Sequence, residues 1–392
     1  MLKGTNQEVG RPHNRRIVLE TIRQHGPLSR AEIARHVGLT IQTVSTITSE
    51  LQERGFVRLR PGVPKGRGFP APVLEIDPDG GYACGVYVTP RGLEAGLVNL
   101  CGKVLSRRAV EAPRMSAEEA FARIGAMVAE LRADCPRERF IGVGMAMPGP
   151  FDIESMSFVG PTTMEGWAGV DVYESLRDAV SCPAFVEVDS AAAAHCERLY
   201  GVGEELFNFY HLFLGVGLGG CVIYDGQVVR GAWGNAGEVG HIPLVPDGDP
   251  CPCGNRGCLE RYLSLEAYVR RTAVIGEAEW LKEVAPLLRA AIVTIENLFD
   301  PETIVLGGLA PVELRLKLLA LTASLPNSLA ARRDRRHPRV ILSRCGTDAV
   351  LRGAASLAIT QVLSPRFAGP PQAAANRAAG DPFARTGRAR VE

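Results

Sequence analysis

The stretch Gly237–Glu260 reads GEVGHIPLVPDGDPCPCGNRGCLE and holds His241, Cys251, Cys253 and Cys258 within eighteen residues. Three thiols and one imidazole make the soft, tetrahedral donor set that Zn²⁺ favours, and four protein ligands leave no open position for a water nucleophile. The pattern therefore predicts a structural zinc and not a catalytic one. Gly254 and Gly257, between the second and third cysteines, let the backbone fold back so that the sulfurs can converge. Buried thiols beside a turn are the plainer reading of the same residues; the nearby His and the interleaved glycines argue against it.

The spacing E-x-G-H, then C-x-C-G-x-x-G-C-x-E, is carried by Glu238, Gly240, His241, Cys251, Cys253, Gly254, Gly257, Cys258 and Glu260. It resembles the signature of the ROK family of repressors, open reading frames and sugar kinases. The resemblance implies an α/β chain with a two-lobed, actin-like (ribonuclease H-like) sugar-kinase fold. It leaves two activities open, sugar phosphorylation and sugar-dependent control of genes.

The 392 residues are enough for two or three domains, and 46% hydrophobic with 22% charged residues is ordinary for a globular protein. No apolar run reaches the ~18 residues needed to span a bilayer, and Met1–Gly10 is polar, so a cytoplasmic protein with no membrane partner is expected. Beyond the cluster, Cys84, Cys101, Cys135, Cys182, Cys196, Cys221 and Cys345 are scattered singly, which fits a reducing compartment. The net charge of +1 hides an asymmetry: residues 1–75 hold twelve Lys and Arg against six Asp and Glu. A basic N-terminal module on an acidic body predicts contact with a polyanion.

That module reads as a helix-turn-helix. Ile17, Val18 and Ile22 give a first helix its apolar stripe, ended by Gly26-Pro27. Ser29-x-x-Glu32 is a capping box for a second helix that stops at Gly38, and Thr40 caps a third with Val44, Ile47 and Leu51 inward. Gln42, Thr43, Ser45 and Thr46 then face outward, suited to bases and phosphates in a major groove of double-stranded DNA, with Ser29, Arg30 and Thr40 beside them. FVRLR and APVLEID predict two strands around a Gly- and Pro-rich loop, a wing whose Lys65 and Arg67 suit phosphate or minor-groove contact. A dimerisation module with a solvated basic loop is the alternative. The segment also resembles the winged module of ROK-family repressors.

In the body, Asp77–Gly81 reads as a short hinge before the strands YACGVYV, LEAGLVNL and KVLSRRAV. The expected division is a winged helix-turn-helix over 1–76, a first lobe over 77–199 and a second lobe with the zinc site and a returning C-terminal helix over 200–363. A disordered tail is expected over 364–392. An ungapped match places the kinases' phosphate turn, D-x-G-G-T, on Tyr87, Val88, Thr89, Pro90 and Arg91, with every defining residue replaced. Pro90 lacks a backbone donor and Tyr87 offers no carboxylate to Mg²⁺. The second phosphate motif keeps its glycines in Leu214–Gly219 but has Val216 for the hydroxyl residue. A non-enzymatic regulator is therefore expected, with an active kinase bearing a DNA-binding domain as the alternative.

The resemblance implies a better-kept sugar side. Glu187-Val188-Asp189 matches the family's E-N-D, placing Asp189 where the kinases hold the base for the sugar hydroxyl, while Glu238, His241 and Glu260 match residues that grip hydroxyls. Val188 and Thr162 depart from the pattern and remove two amide partners. The same carboxylates, as caps or structural hydrogen-bond partners, would serve a site that binds nothing. The expected partners are a DNA operator, a sugar or sugar-phosphate effector and a second copy, as a homodimer or a dimer of dimers. The expected coupling runs from the zinc segment to the Asp77–Gly81 hinge.

Overall fold

In the computed structural model, which describes residues 11–62, 71–149, 164, 166–332 and 334–363, the chain opens with helix α1 (Arg11–His25) and a two-residue strand, β1 (Leu28–Ser29). Helices α2 (Arg30–Val37) and α3 (Ile41–Glu53) follow. Ser29 accepts the backbone N–H of Glu32 while the Glu32 carboxylate takes the N–H of Ser29, a complete capping box. Gly38 ends α2 in the left-handed region at φ +69°, and Thr40 caps α3 by accepting from Thr43. Ile17, Ile22, Ile33, Val37, Val44 and Leu51 fill the space between the three helices. Strands β2 (Val57–Arg60) and β3 (Val73–Ile76) pair antiparallel, giving a small sheet in the order β1-β3-β2. Lys65, Arg67 and the 364–392 tail lie outside the described residues.

Two five-stranded sheets share one topology. The first contains β4 (Tyr82–Thr89), β5 (Gly92–Asn99), β6 (Val104–Glu111), β7 (Phe140–Met147) and β8 (Ala184–Val188), in the order β6-β5-β4-β7-β8. Between β6 and β8 run helices α4 (Ala117–Ala133) and α5 (Val172–Val180), which cover one face of this sheet. Helix α6 (Asp189–Tyr200) leads to the second sheet, built from β9 (Phe209–Leu214), β10 (Leu218–Tyr224), β11 (Gln227–Val228), β12 (Thr303–Gly308) and β13 (Val340–Leu342). Its order is β11-β10-β9-β12-β13. In both sheets an antiparallel three-strand meander is extended by two parallel strands. Helices α7 (Leu265–Ile275), α8 (Glu277–Phe299) and α9 (Val312–Ala320) pack around the second sheet, and α10 (Ala349–Leu363) returns to the first.

Glycines set how closely α10 approaches. A Cβ at Gly85 of β4 would lie 2.0 Å from the Leu351 carbonyl oxygen, and one at Gly144 of β7 would lie 1.9 Å from that of Ala354. The helix backbone thus rests on the sheet backbone, and α6 rests on α10 in turn, where a Cβ at Gly353 would meet the Ala192 oxygen at 1.8 Å. Asp77–Gly81 is not the expected open hinge. It is a packed 3₁₀ turn capped by Asp77, pinned by Arg139 donating to the Asp79 carbonyl at 2.6 Å, with no room for a Cβ at Gly80 against the Gly55 oxygen. The apolar core explains this: Leu74 and Ile76 of the N-terminal sheet share a cluster with Val98, Leu100, Phe185 and Ile359 of the body. The small domain is docked, not tethered.

Candidate functional site

The first residue of α6 is Asp189. Its Oδ1 accepts the N–H of Ser190 at 2.7 Å, and its Oδ2 faces the Tyr87 hydroxyl at 3.4 Å. Burial pushes the Asp189 carboxyl up to about 6, helped by the neighbouring charge of Glu238 and opposed by its hydrogen bonds. Burial also raises Glu238, with His241 lowering and Glu260 raising it further, so the matched cleft residues form one electrostatic group. The Glu238 carboxylate has no hydrogen-bond partner among the described residues, while its backbone carbonyl accepts the His241 N–H at 3.2 Å. Glu260 is partly committed to structure: its Oε2 accepts the N–H of Leu218 at 2.9 Å and occupies the space beside Gly217. The Glu238 carboxylate and the second oxygen of Glu260 thus stay uncommitted to the fold among the described residues.

Beneath the cleft, Glu187 at the end of β8 pairs with Arg230 at 2.5 Å, from the segment after β11. Burial alone would raise the Glu187 carboxyl; the Arg230 charge and hydrogen bond outweigh it and hold the group below its ordinary value. This pair joins the two sheets 43 residues apart in sequence. Neither Arg230 nor Tyr87's bond to Asp189 is visible in a linear motif. For Tyr87 a signal exists: strand alternation puts it on the same face of β4 as Gly85, the face that α10 and α6 occupy.

The stretch matched to the phosphate turn closes the β4–β5 hairpin. Thr89 and Gly92 pair across a two-residue turn, Pro90-Arg91, in which Arg91 N–H donates to the Thr89 hydroxyl at 3.2 Å. Gly215 and Val216 of the β9–β10 turn accept the N–H groups of Leu265 and Glu266, tying that turn to the start of α7.

His241, Cys251, Cys253 and Cys258 converge, their donor atoms all within 4.8 Å of one another. His241 Nδ1 lies 3.6 Å from the Cys251 sulfur, and the Cys253 and Cys258 sulfurs are 3.6 Å apart. Zn–S bonds of about 2.3 Å in a tetrahedron give sulfur–sulfur edges of about 3.8 Å, so the donor set and its spacing fit a metal ion. The glycines do what the spacing requires: Gly254 and Gly257 have φ of +93° and +72°, and a Cβ at Gly257 would strike the Val245 oxygen at 1.7 Å.

On the recognition helix, Gln42 and Thr46 are exposed and Ser45 half-buried at the N-terminal half of α3. Thr40 and Thr43 share a hydroxyl–hydroxyl bond of 2.8 Å as part of the cap. Ser29 is spent on its capping box, and Arg30 turns inward to Thr48 at 3.0 Å and Gln52 at 3.1 Å, bracing α2 on α3. The side chains left uncommitted near the start of α3 are therefore fewer than the full polar set, with Gln42 and Ser45 among them.

A winged helix-turn-helix fused to a two-sheet, kinase-like body with a Cys₃His cluster defines a class that joins DNA contact to a small-molecule cleft. The chain belongs to the ROK family, whose sequence profile matches residues 84–361, and a winged helix-turn-helix DNA-binding profile matches residues 11–58. It is 27% identical to a xylose repressor of Caldicellulosiruptor bescii over 333 residues, covering 76% of this chain and 83% of that one. A crystal structure of a ROK family transcriptional regulator, a homologue of the Escherichia coli MLC protein, superposes with a TM-score of 0.70 at 25% identity, covering 90% of this chain and 96% of that one. A ROK family glucokinase from Streptomyces griseus, solved with glucose and AMPPNP, gives 0.60 at 28% identity over 71% of this chain and 99% of its own. No helix among the described residues is long and apolar enough to cross a membrane.

Proposed function

We propose that this chain is a sugar-responsive DNA-binding transcriptional repressor of carbohydrate genes that has given up phosphoryl transfer. The observation that carries the reading is the Tyr87–Asp189 contact beside an intact helix-turn-helix. An aromatic hydroxyl stands at the match to the kinases' phosphate-turn carboxylate and faces the matched base. Asp189, Glu238, His241 and Glu260 supply the polar lining for a sugar. Gln42 and Ser45 read bases, with Thr46 and the wing's Lys65 and Arg67 on phosphates or the minor groove. His241, Cys251, Cys253 and Cys258 hold a structural Zn²⁺, which cross-links the segment bearing Glu238 to the one bearing Glu260 and so fixes two cleft carboxylates. A homodimer spaces two recognition helices for a pseudo-palindromic operator.

The test is thermal unfolding of the zinc-loaded protein against pentoses, hexoses, amino sugars and their phosphates, with and without Mg·ATP. A shift with a sugar and none with ATP is expected. A shift with ATP, or sugar-dependent ATP hydrolysis, would replace this reading with that of a kinase carrying a DNA-binding domain.

A further inference from the structure

Helix α6 has the cleft at one end and the DNA-binding domain at the other. Its twelve residues run from Asp189 to Tyr200, a span of about 18 Å. It is packed along nearly its whole length. Ser190 to Glu197 and Leu199 are buried, and the run Ala191–Ala194 lets both neighbours approach, with α10 against Ala192, while a Cβ at Gly219 of β10 would lie 2.9 Å from the Ser190 side chain. Near its far end the buried Glu197 carboxylate accepts from the Ser343 hydroxyl at 2.5 Å and from the Cys345 N–H at 2.7 Å, fixing the helix to the segment after β13.

Beyond Glu197, three bodies meet on one side chain. Arg198 Nε donates to the Gly226 carbonyl in the β10–β11 turn at 3.1 Å, and its Nη2 lies 3.6 Å from Glu20 of α1. Glu20 in turn pairs with Arg23, whose Nη1 donates to the Leu199 carbonyl at the end of α6 at 3.1 Å. The Glu20 and Arg23 side chains are 5% and 8% exposed, so this joint is dry and its charges cannot fall back on water. Burial, with Arg23 close by, pulls the Arg198 guanidinium down to about 10, the mark of a cation held where it is only partly compensated. Gly226 leaves no slack, since a Cβ there would sit 2.8 Å from Arg198 Nε.

We propose that Arg198 is the joint through which the angle between the two sheets is read by the DNA-binding domain, with α6 as the rod connecting it to Asp189. The proposal rests on the reading that a sugar binds beside Asp189. Closure of the second sheet around a ligand moves the Gly226 turn relative to α6, and Arg198 cannot follow that turn without changing its hold on Glu20. The Glu20–Arg23 pair then loses a partner and α1, to which the recognition helix is packed, shifts on the body. This route replaces the expected one through Asp77–Gly81, where the chain is pinned.

The experiment uses full-length, zinc-loaded protein and a duplex that the wild type selects from random-sequence DNA, with D-xylose, D-glucose and D-glucosamine as probes. Arg198→Met is expected to keep the sugar-free duplex affinity within about threefold of wild type and to cut the sugar's effect on that affinity at least about fivefold. Amide exchange across residues 17–25 is expected to rise about tenfold. Glu20→Gln, which breaks the same joint from the other side, should reproduce both changes, and Arg198→Lys should restore part of each. Wild-type exchange over α1 in Arg198→Met, or an undiminished sugar effect, overturns the proposal. If no sugar moves the wild-type affinity, the sugar-responsive reading fails instead, and the exchange result alone decides the joint.

Discussion

The Tyr87 hydroxyl lies 3.4 Å from Oδ2 of Asp189, linking the end of β4 to the first turn of α6 across 102 residues of sequence. Burial pushes the carboxyl it touches up from 3.8 to about 6. A folded state that binds the proton more tightly than the unfolded one is destabilised by the ionised group at high pH. The cost is complete above about pH 6 and vanishes as pH falls below the ordinary value of 3.8. The full shift corresponds to ~3 kcal/mol; Asp189 as a whole residue is half-buried, so solvent screening reduces the expected effect to about 1–2 kcal/mol. Asp189→Asn should therefore stabilise the ligand-free protein by that amount in urea unfolding at pH 7.5, with a smaller gain at pH 5, while losing any sugar-induced shift. Destabilisation at pH 7.5 would make the carboxylate structural and remove it from the cleft's binding set.

The thiol cluster separates two roles within one variant series. Cys258 is fully buried and Cys253 exposed, so Cys258→Ser disturbs packing as well as ligation whereas Cys253→Ser removes a ligand alone. Each should lower bound zinc from one equivalent per chain to near none, measured by a chromogenic chelator after denaturation. A site saturated a thousandfold above its Kd stabilises by about 4 kcal/mol, and Cys253→Ser should lose most of that. A Cys253→Ser protein with full zinc and unchanged stability would remove this thiol from the ligand set.

Gln42 and Thr40 should fail differently on DNA. The Gln42 side chain is exposed, so Gln42→Ala should leave unfolding unchanged and relax selection at one base position by about 1–3 kcal/mol. Thr40 accepts the Thr43 N–H at 3.1 Å as the cap of α3. Thr40→Ala should cost about 1 kcal/mol of stability and weaken binding to all duplexes alike. Selection from random duplexes with each variant, beside urea unfolding, checks both; an unchanged base preference in Gln42→Ala would move the reading surface elsewhere on α3.

The parts legible in the sequence are those whose causes are local. Ser29 with Glu32, Gly38 and Thr40 define α2 and α3 because caps act over a few residues, and both caps form as the spacing implies. Helix α5 had equally local signals in its Asp171 cap and in Val172, Leu176 and Val180 at helical spacing. The cluster of His241 and the three cysteines was legible because four donors fall within eighteen residues. The contacts at the two ends of α6 were not. Tyr87 meets Asp189 across 102 residues and Arg23 meets the Leu199 carbonyl across 176, and only the folded chain brings either pair together. The hinge expectation failed for a related reason: Gly80-Gly81 looks flexible in sequence, yet Gly80 is glycine because the Gly55 oxygen leaves no space for a Cβ.

Glu187 and Arg230 supply the last test, because their bond joins the end of β8, two residues before Asp189, to the segment after β11. Removing one member of a buried pair strands the other, which costs about 3–5 kcal/mol, whereas removing both costs less than the sum. Arg230→Met should therefore lower stability by about that amount at pH 7.5. The Glu187 carboxyl, held below its ordinary value by Arg230, should rise once the guanidinium is gone, so part of the loss should be recovered as the pH falls. Glu187→Gln with Arg230→Met should restore stability relative to Arg230→Met alone. If the pair also sets the angle between the sheets, the double variant should fold well yet show a sugar affinity different from wild type. Titration calorimetry with the sugar that shifts wild-type unfolding would show it. Equal affinity in a stable double variant would confine the pair to holding the fold.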